Sequence, residues 1–451
     1  MKLFLHNNRV VQTLNYREWL SLLLVAVFAS DFALFGANSE IVPFTPWVWI
    51  LLFGAGVVPL LLRPMPSLSA SRYLLAWIHI YLLISLLSSF IAEDLDDAYY
   101  AITNRVLFCV LLIIATLTFG DRGSIMWGRR GFLFVSLFGV GMNFYEFANP
   151  GVFSNVLGRS AGWYVDATRS GSALVLSMIL CQDILPQRYR SSYQILIGLG
   201  VLATFSRGPI LCYLIVMIVL LVRDLRNAAS MVSTGALILL MAAGLLASAS
   251  NGIASLQEYW STVNPSANEW WTRTLTLTSS EQLADDPRSS LLAKAWNIYQ
   301  ERPLFGYGTG SSATIEGGQG THNMFLSLMI EHGVGGLVII PALLYCCFNP
   351  GGRYRSPAIL PFTVFSLIWP FFSHTIMNEW YYAVGVGMVC AIHWETFVRQ
   401  EDQSPSIINN HRAASVDEMR VAQHIAFRDA REVFGEKLTH GTSTGGDTWR
   451  D

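Results

Sequence analysis

Thr321-His322-Asn323 runs directly into Met324-Phe325-Leu326-Ser327-Leu328-Met329-Ile330-Glu331-His332-Gly333, and apolar sequence then continues to Tyr345. The segment 323–345 has the length an α-helix needs to cross the hydrocarbon core of a bilayer. It closes the one long polar interruption of the chain, residues 250–322. It therefore reads as a membrane span with a histidine at its membrane–water boundary. A helix start there offers backbone amides and a favourable dipole to an anion. The imidazole adds a group that titrates near neutrality.

Working outward, the rest of the chain repeats the apolar half of this pattern. Of 451 residues, 53% are hydrophobic and 13% charged, against about 25% charged in an ordinary soluble domain. The charges gather between apolar runs. Runs at 17–36, 43–62, 73–92, 101–119, 131–148, 170–186, 190–206, 209–222, 231–249, 323–345, 357–372 and 380–398 predict about twelve transmembrane helices. The expected fold is an all-α polytopic membrane bundle, residues 1–398, with one large outer loop at 250–322. The first run is followed at once by a second and has no small-residue cleavage site, so it reads as a span and not a signal peptide. A formal net charge of −2 gives no reason to expect nucleic acid as a partner.

Lysine and arginine placement sets the orientation. With the N-terminus inside, the cytoplasmic segments collect Lys2, Arg9, Arg17, Arg63, Arg72, Arg122, Arg129, Arg130, Arg188, Arg190, Arg223, Arg226, Arg353 and Arg355. The opposite short loops hold Glu40 and the run Glu93-Asp94-Leu95-Asp96-Asp97, which reads as a solvated loop and not as a divalent-cation site. Both termini are then cytoplasmic, with the loop 250–322 outside. The tail 399–451 carries the capping pattern Ser415-Val416-Asp417-Glu418. Behind it Met419, Ala422, Ala426, Phe427, Ala430 and Phe434 recur at helical spacing, as in a short amphipathic helix. Its end, 440–446, has the composition of a disordered segment. The six cysteines lie in or near spans and form neither a disulfide framework nor a zinc pattern.

Cations on the outer side are not needed for topology, and that singles them out. Arg207 sits in Thr204-Phe205-Ser206-Arg207-Gly208-Pro209, a corner between two short spans, where an arginine at membrane depth needs a partner or a function. Arg159 and Arg169 lie on the same side, and the outer loop adds Arg288 and Arg302. Guanidinium groups grip phosphate oxygens bidentately, so converging arginines suit a diphosphate. His322 fits three roles: general base, donor to a phosphate oxygen, or a cap beside Thr321 and Asn323. Glu331, inside the following span, needs a partner such as His332 or an arginine from a neighbouring helix.

Taken together, Ser206-Arg207-Gly208, Arg288 with Trp296, Pro303-Leu304-Phe305-Gly306-Tyr307-Gly308, and His322-Asn323 followed by Glu331-His332-Gly333 resemble the O-antigen ligase and polysaccharide polymerase superfamily. Arg159-Ser160-Ala161-Gly162-Trp163-Tyr164 is similar to a stretch those proteins carry before a middle span. Here Asp166-Ala167-Thr168 stands where they have Asn-Pro-Asn. The resemblance implies a bacterial inner-membrane glycosyltransferase that takes a glycan from undecaprenyl diphosphate on the periplasmic face, with membrane lipid around it and no metal or other cofactor. It implies His322, Arg288 and Arg207 as catalytic residues, with Arg159, Arg169, Arg302, Asn323 and Glu331 contacting substrate. A ligase hands the glycan to the lipid A core, whereas a polymerase hands it to a growing glycan; both share these motifs. A lipid-linked-sugar flippase or transporter is the reading from another class. It would place polar groups near the midplane of several spans, whereas these gather at the outer boundary.

Overall fold

The computed structural model describes residues 14–61, 72–154, 159–223, 287–315, 321–348 and 356–395, and its regular elements there are helical. The apolar run 231–249, the polar stretch 250–286, the glycine-rich stretch 317–320 and the tail helix expected near 415–434 lie outside the described residues. Contacts divide the chain into two compact units, Met1–Glu395 and Thr396–Asp451, and the described helices all belong to the first.

Helices overlie all the other predicted spans. The first is α1, Tyr16–Leu24, which widens into a π-turn at Val25–Ala29 and breaks at Asp31 before α2, Phe32–Asn38. The two halves are bent by 52°, a kink the apolar run gives no hint of. Asp31 takes a left-handed φ of 58° at the break. Then come α3 (Pro46–Leu61), α4 (Arg72–Ser89), α5 (Leu95–Thr118) and α6 (Arg122–Ala148). Next are α7 (Ala167–Cys181), α8 (Gln187–Ala203) and α9 (Arg207–Arg223).

After the undescribed stretch, α10 (Pro287–Glu301) and the short α11 (Ser311–Ile315) precede α12 (Met324–His332). A 3₁₀ segment, Gly333–Val338, joins α12 to α13 (Ile339–Phe348). Two further helices, α14 (Ile359–Ile368, extended by a 3₁₀ turn Trp369–Phe371) and α15 (380–395), complete the unit.

Four of these helices are long and apolar enough to cross a membrane: Arg72–Ser89, Leu95–Thr118, Arg122–Ala148 and Met324–Phe348. The bent pair at the N-terminus makes a fifth if counted as one span. Several predicted spans fall on helices shorter than a bilayer is thick, such as Ala167–Cys181 and Gln187–Ala203. Two others begin earlier than hydropathy suggested. Asp94 caps α5 by accepting from the amides of Asp96 and Asp97, and Asp121 caps α6 at Ser124. The acidic run is thus in part a helix start.

The stretch read as a plain outer loop is more structured than expected. Ala295, Ile298 and Tyr299 recur at helical spacing on α10, and Ala295 packs on Leu326 and Ile330 of α12. The loop after α10 lies along α12. The Tyr307 amide donates to Ile330 O (2.8 Å), Gly308 to Glu331 O (3.1 Å), and Val334 to Pro303 O (2.8 Å). A Cβ at Gly306 would sit within 2.6 Å of the α12 backbone and one at Gly308 within 2.6 Å of the backbone at Ser88 and Ala92, and both have positive φ, so glycine suits both approaches. Those amides satisfy carbonyls that the switch to 3₁₀ geometry at Gly333 takes out of the helix.

Candidate functional site

α7 runs between the two ends of the bundle and shows how each is built. Asp166 caps its start, accepting from the amides of Thr168 (2.8 Å) and Arg169 (2.9 Å). The aspartate standing in place of the family's asparagine thus fixes the turn that carries Arg169. The Ser206 hydroxyl donates to Thr168 at 3.1 Å. A Cβ on Gly208 would meet Phe372 at 2.7 Å, so the Arg207 corner is wedged between the first turn of α7 and the turn after α14. The Met324 amide donates to Ser373 O at 3.1 Å, which ties His322 and Asn323 to that same turn. Arg159 joins from a fourth side, since the Ser160 amide donates to Ala203 O just before the corner.

The Arg159 loop is set by a residue the sequence reading passed over. Glu146, buried near the end of α6, accepts from four backbone amides: Phe153 (3.1 Å), Ser154, Ala161 (2.6 Å) and Gly162 (2.8 Å). A carboxylate engaged this way fixes a loop that would otherwise carry unpaired amides. Trp163 then stacks on Phe35, with ring centroids 5.2 Å apart.

At this end lies a cavity of about 650 Å³, within the range of small-ligand sites. Arg105, Arg169, Glu331, His374, Asp97 and Asn104 supply its polar wall, and Tyr81, Tyr100, Trp47 and Trp380 supply aromatic surface. Arg169 faces the carboxylates of Asp31 and Glu379, yet no described residue pairs with its guanidinium at hydrogen-bond distance. Arg169 lines the cavity, and its guanidinium N–H groups keep donor capacity there.

His322 packs against His374, ring centroids 5.4 Å apart and planes at 83°. It has a left-handed φ of 52°, a region histidine visits more readily than most residues. It is not the helix cap. Asn323 is, its side chain accepting from the Leu326 amide at 3.1 Å. Thr321 is buried and bonds Ser327. His374 lies in the turn between α14 and α15, outside the membrane-spanning segments. Burial first, then the neighbouring His322 and Arg169, push its pKa down to about 4, with Asp166 pulling the other way. The imidazole is neutral at ordinary pH.

Glu331 finds its partner in Arg105, which no motif had marked. The two form a buried ion pair. Arg105 also donates to Ser85 (2.7 Å) and to His332 Nε2 (3.0 Å), and its guanidinium lies over the Tyr81 ring. His332 Nδ1 bonds Ser88 at 2.9 Å. Because arginine can only donate, Nε2 accepts and Nδ1 carries the proton. Ser312 donates to the second Glu331 oxygen at 2.8 Å, and Thr309 bonds Ser88 and the Ser85 carbonyl. The sequence places Glu331 inside its span with an arginine from a neighbouring helix as one candidate partner, and Arg105 is ten residues into α5, about 15 Å along its axis.

The expected site residues therefore separate. Arg169 and Glu331 line the cavity, and His322, Asn323, Arg207 and Arg159 belong to the loops that meet around it. Arg302 stands apart, exposed over the Tyr307 ring (4.4 Å) and 3.8 Å from Glu93. Arg288 lies in the first turn of α10. Arg105, Glu146, Glu379 and His374 are the residues the sequence reading missed. For the three charged ones the available signal was an ionisable group at a span or its end.

Among curated proteins none matches the chain. Residues 193–340, about a third of its length, match the family model described as O-antigen ligase. That segment holds the Arg207 corner, the helix Pro287–Glu301, the 303–310 loop, His322 and Glu331, and over that third of its length the chain is similar to the O-antigen ligase family.

Proposed function

We propose that the chain transfers a glycan from undecaprenyl diphosphate to a hydroxyl acceptor on the periplasmic face of the bacterial inner membrane, with both termini cytoplasmic. The reading commits to a ligase that uses the lipid A core as acceptor. The observation that carries it is the presence of Arg169 and His374 in the wall of one cavity, with His322 in ring contact with His374.

In this reading Arg207 and Arg288 hold the diphosphate and Arg169 extends the cationic wall. As the anomeric carbon–oxygen bond breaks, negative charge builds on the departing diphosphate, and fixed cations stabilise it without reorganising. That is the role a metal would otherwise fill, so the reaction runs without one. Glu331 and Arg105 position the wall; Asn323 holds the start of α12 behind His322.

The test is transfer from purified undecaprenyl-diphosphate glycan to lipid A core, with EDTA present. Wild-type chain should turn over, and His322→Asn should lose about two to four orders of magnitude, the range of a positioned acid–base group. Near wild-type turnover in His322→Asn removes the imidazole from the chemistry. Transfer to glycan repeat units instead of lipid A core would make the chain a polymerase. Labelling of Ser404→Cys by an impermeant reagent from the periplasm would overturn the orientation.

A further inference from the structure

His322 is the histidine the motifs bring forward, yet His374 is the one that lines the cavity. Its turn is held from both sides. Glu379, buried, accepts from Ser373 (3.2 Å) and Thr375 (2.8 Å), and also from Trp369 and Tyr381. Thr375 further donates its amide to Ser373 Oγ. The backbone carrying His374 is thus fixed by side chains on either side, while the imidazole, in ring contact with His322, receives no hydrogen bond from the described residues. Its Nδ1 is shut off from solvent with no hydrogen-bond partner, and no described residue bonds the other ring nitrogen. A buried polar group without a partner costs roughly 1–3 kcal/mol, so a fold that pins the turn and leaves the ring unsatisfied has a use for it.

We infer that His374 is a catalytic residue of this site, taking the proton of the acceptor hydroxyl, while the adjoining His322 faces the lipid diphosphate. The inference rests on the transfer reaction proposed above. The acceptor oxygen bonds to the anomeric carbon, and the bond from that carbon to the diphosphate oxygen breaks with its electron pair leaving on the diphosphate. The hydroxyl proton passes to His374 and from there to water. A base must be neutral before it acts, and burial first, then the neighbouring His322 and Arg169, hold His374 so. An arriving diphosphate reverses the sign of the local field and raises the basicity of the ring, so the base strengthens as the donor loads.

The groups facing His374 are His322, Arg169 and Asp166, with Glu379 reaching its two flanking residues. This suggests a variant that leaves the machinery in place. Asp166→Asn keeps a good helix cap and removes one negative charge near the ring.

The full-length chain is assayed in detergent with purified undecaprenyl-diphosphate glycan and lipid A core. His374→Gln should lose at least about a hundredfold in kcat, with KM for the donor changed by less than about threefold. Imidazole added to His374→Ala should restore activity by about tenfold or more. In the Asp166→Asn chain the acid limb of kcat should move to lower pH by roughly a few tenths of a unit. A purely structural role for His374 predicts neither rescue nor a moved limb. His374→Gln within about twofold of wild type overturns the assignment, and so does an acid limb unmoved in Asp166→Asn if the glutamine variant fails to fold. Loss in His322→Asn beside full activity in His374→Gln would sink this inference and leave the transfer reading standing. No transfer by the wild-type chain would remove both.

Discussion

The two ends of α7 treat their arginines differently. Beyond its C-terminus, Arg129 donates to Leu180 O (2.8 Å) and pairs with Asp183. Arg190 donates to the carbonyls of Leu185 and Asp183, each at 3.0 Å, and Arg223 to that of Pro357. These guanidinium groups are spent on acceptors of their own chain. At the N-terminus Arg169 lines a cavity, with two histidines in ring contact alongside. By composition the ends are alike. What separates Arg169 from these is whether described residues supply the acceptors, and in the reading proposed above that distinguishes a cation that sets topology from one that binds.

The comparison breaks first, if it is wrong, at the site end. Arg207→Ala and Arg288→Ala should each lower transfer by about two to three orders of magnitude with normal levels of folded chain. Lysine at either position should recover part of that, since it restores charge but not the bidentate fork. An alanine variant with full turnover would put its arginine with the topological group.

A second prediction sharpens the role of the deep pair. Glu331→Ala leaves Arg105 buried and uncompensated, which should cost roughly 3–5 kcal/mol of stability, read as a lower melting temperature in detergent. Replacing Arg105 and Glu331 together by Met and Leu should recover most of that loss. If the double variant melts no higher than Glu331→Ala, the pair is not a closed unit.

The smallest effect belongs to the other end. Arg190→Ala removes hydrogen bonds to two carbonyls near the surface, worth about 1 kcal/mol each, and should leave transfer within about twofold. A hundredfold loss of kcat there would show that the carbonyl-bound arginines also serve the reaction, and the contrast between the ends would fail.

Most of the helical frame was legible because apolar runs of span length seldom occur outside membrane helices. The break at Asp31 was not, because a π-turn leaves no mark in an apolar run such as Val25–Ala29. The helix 287–301 was hidden by its polarity, since only Ala295, Ile298 and Tyr299 face α12. At the candidate site, Arg159, Arg169 and Arg207 stood out in the sequence as exceptions to the charge rule, and His322 by its place at the start of a span. His374 was not: a lone histidine in Phe371-Phe372-Ser373-His374-Thr375 gains meaning only when the Met324–Ser373 bond brings that turn beside His322. Arg105 lay inside a predicted span, where a charge is itself a signal, but its partner is 226 residues away in sequence.

The interlock between the 303–310 loop and the broken helix at Gly333 bears on modularity. The loop's amides complete the hydrogen bonding of Ile330 and Glu331, and Thr309 reaches across to Ser85 and Ser88. Glu331 in turn depends on Arg105. The segment that matches the family, 193–340, thus borrows three of its supports from helices that precede it. It is a region of recognisable ancestry without being a transplantable part. A chimera designed to exchange acceptor preference between relatives should keep 85–105 and 303–336 from the same parent, because cutting between them would strand a charge in the membrane.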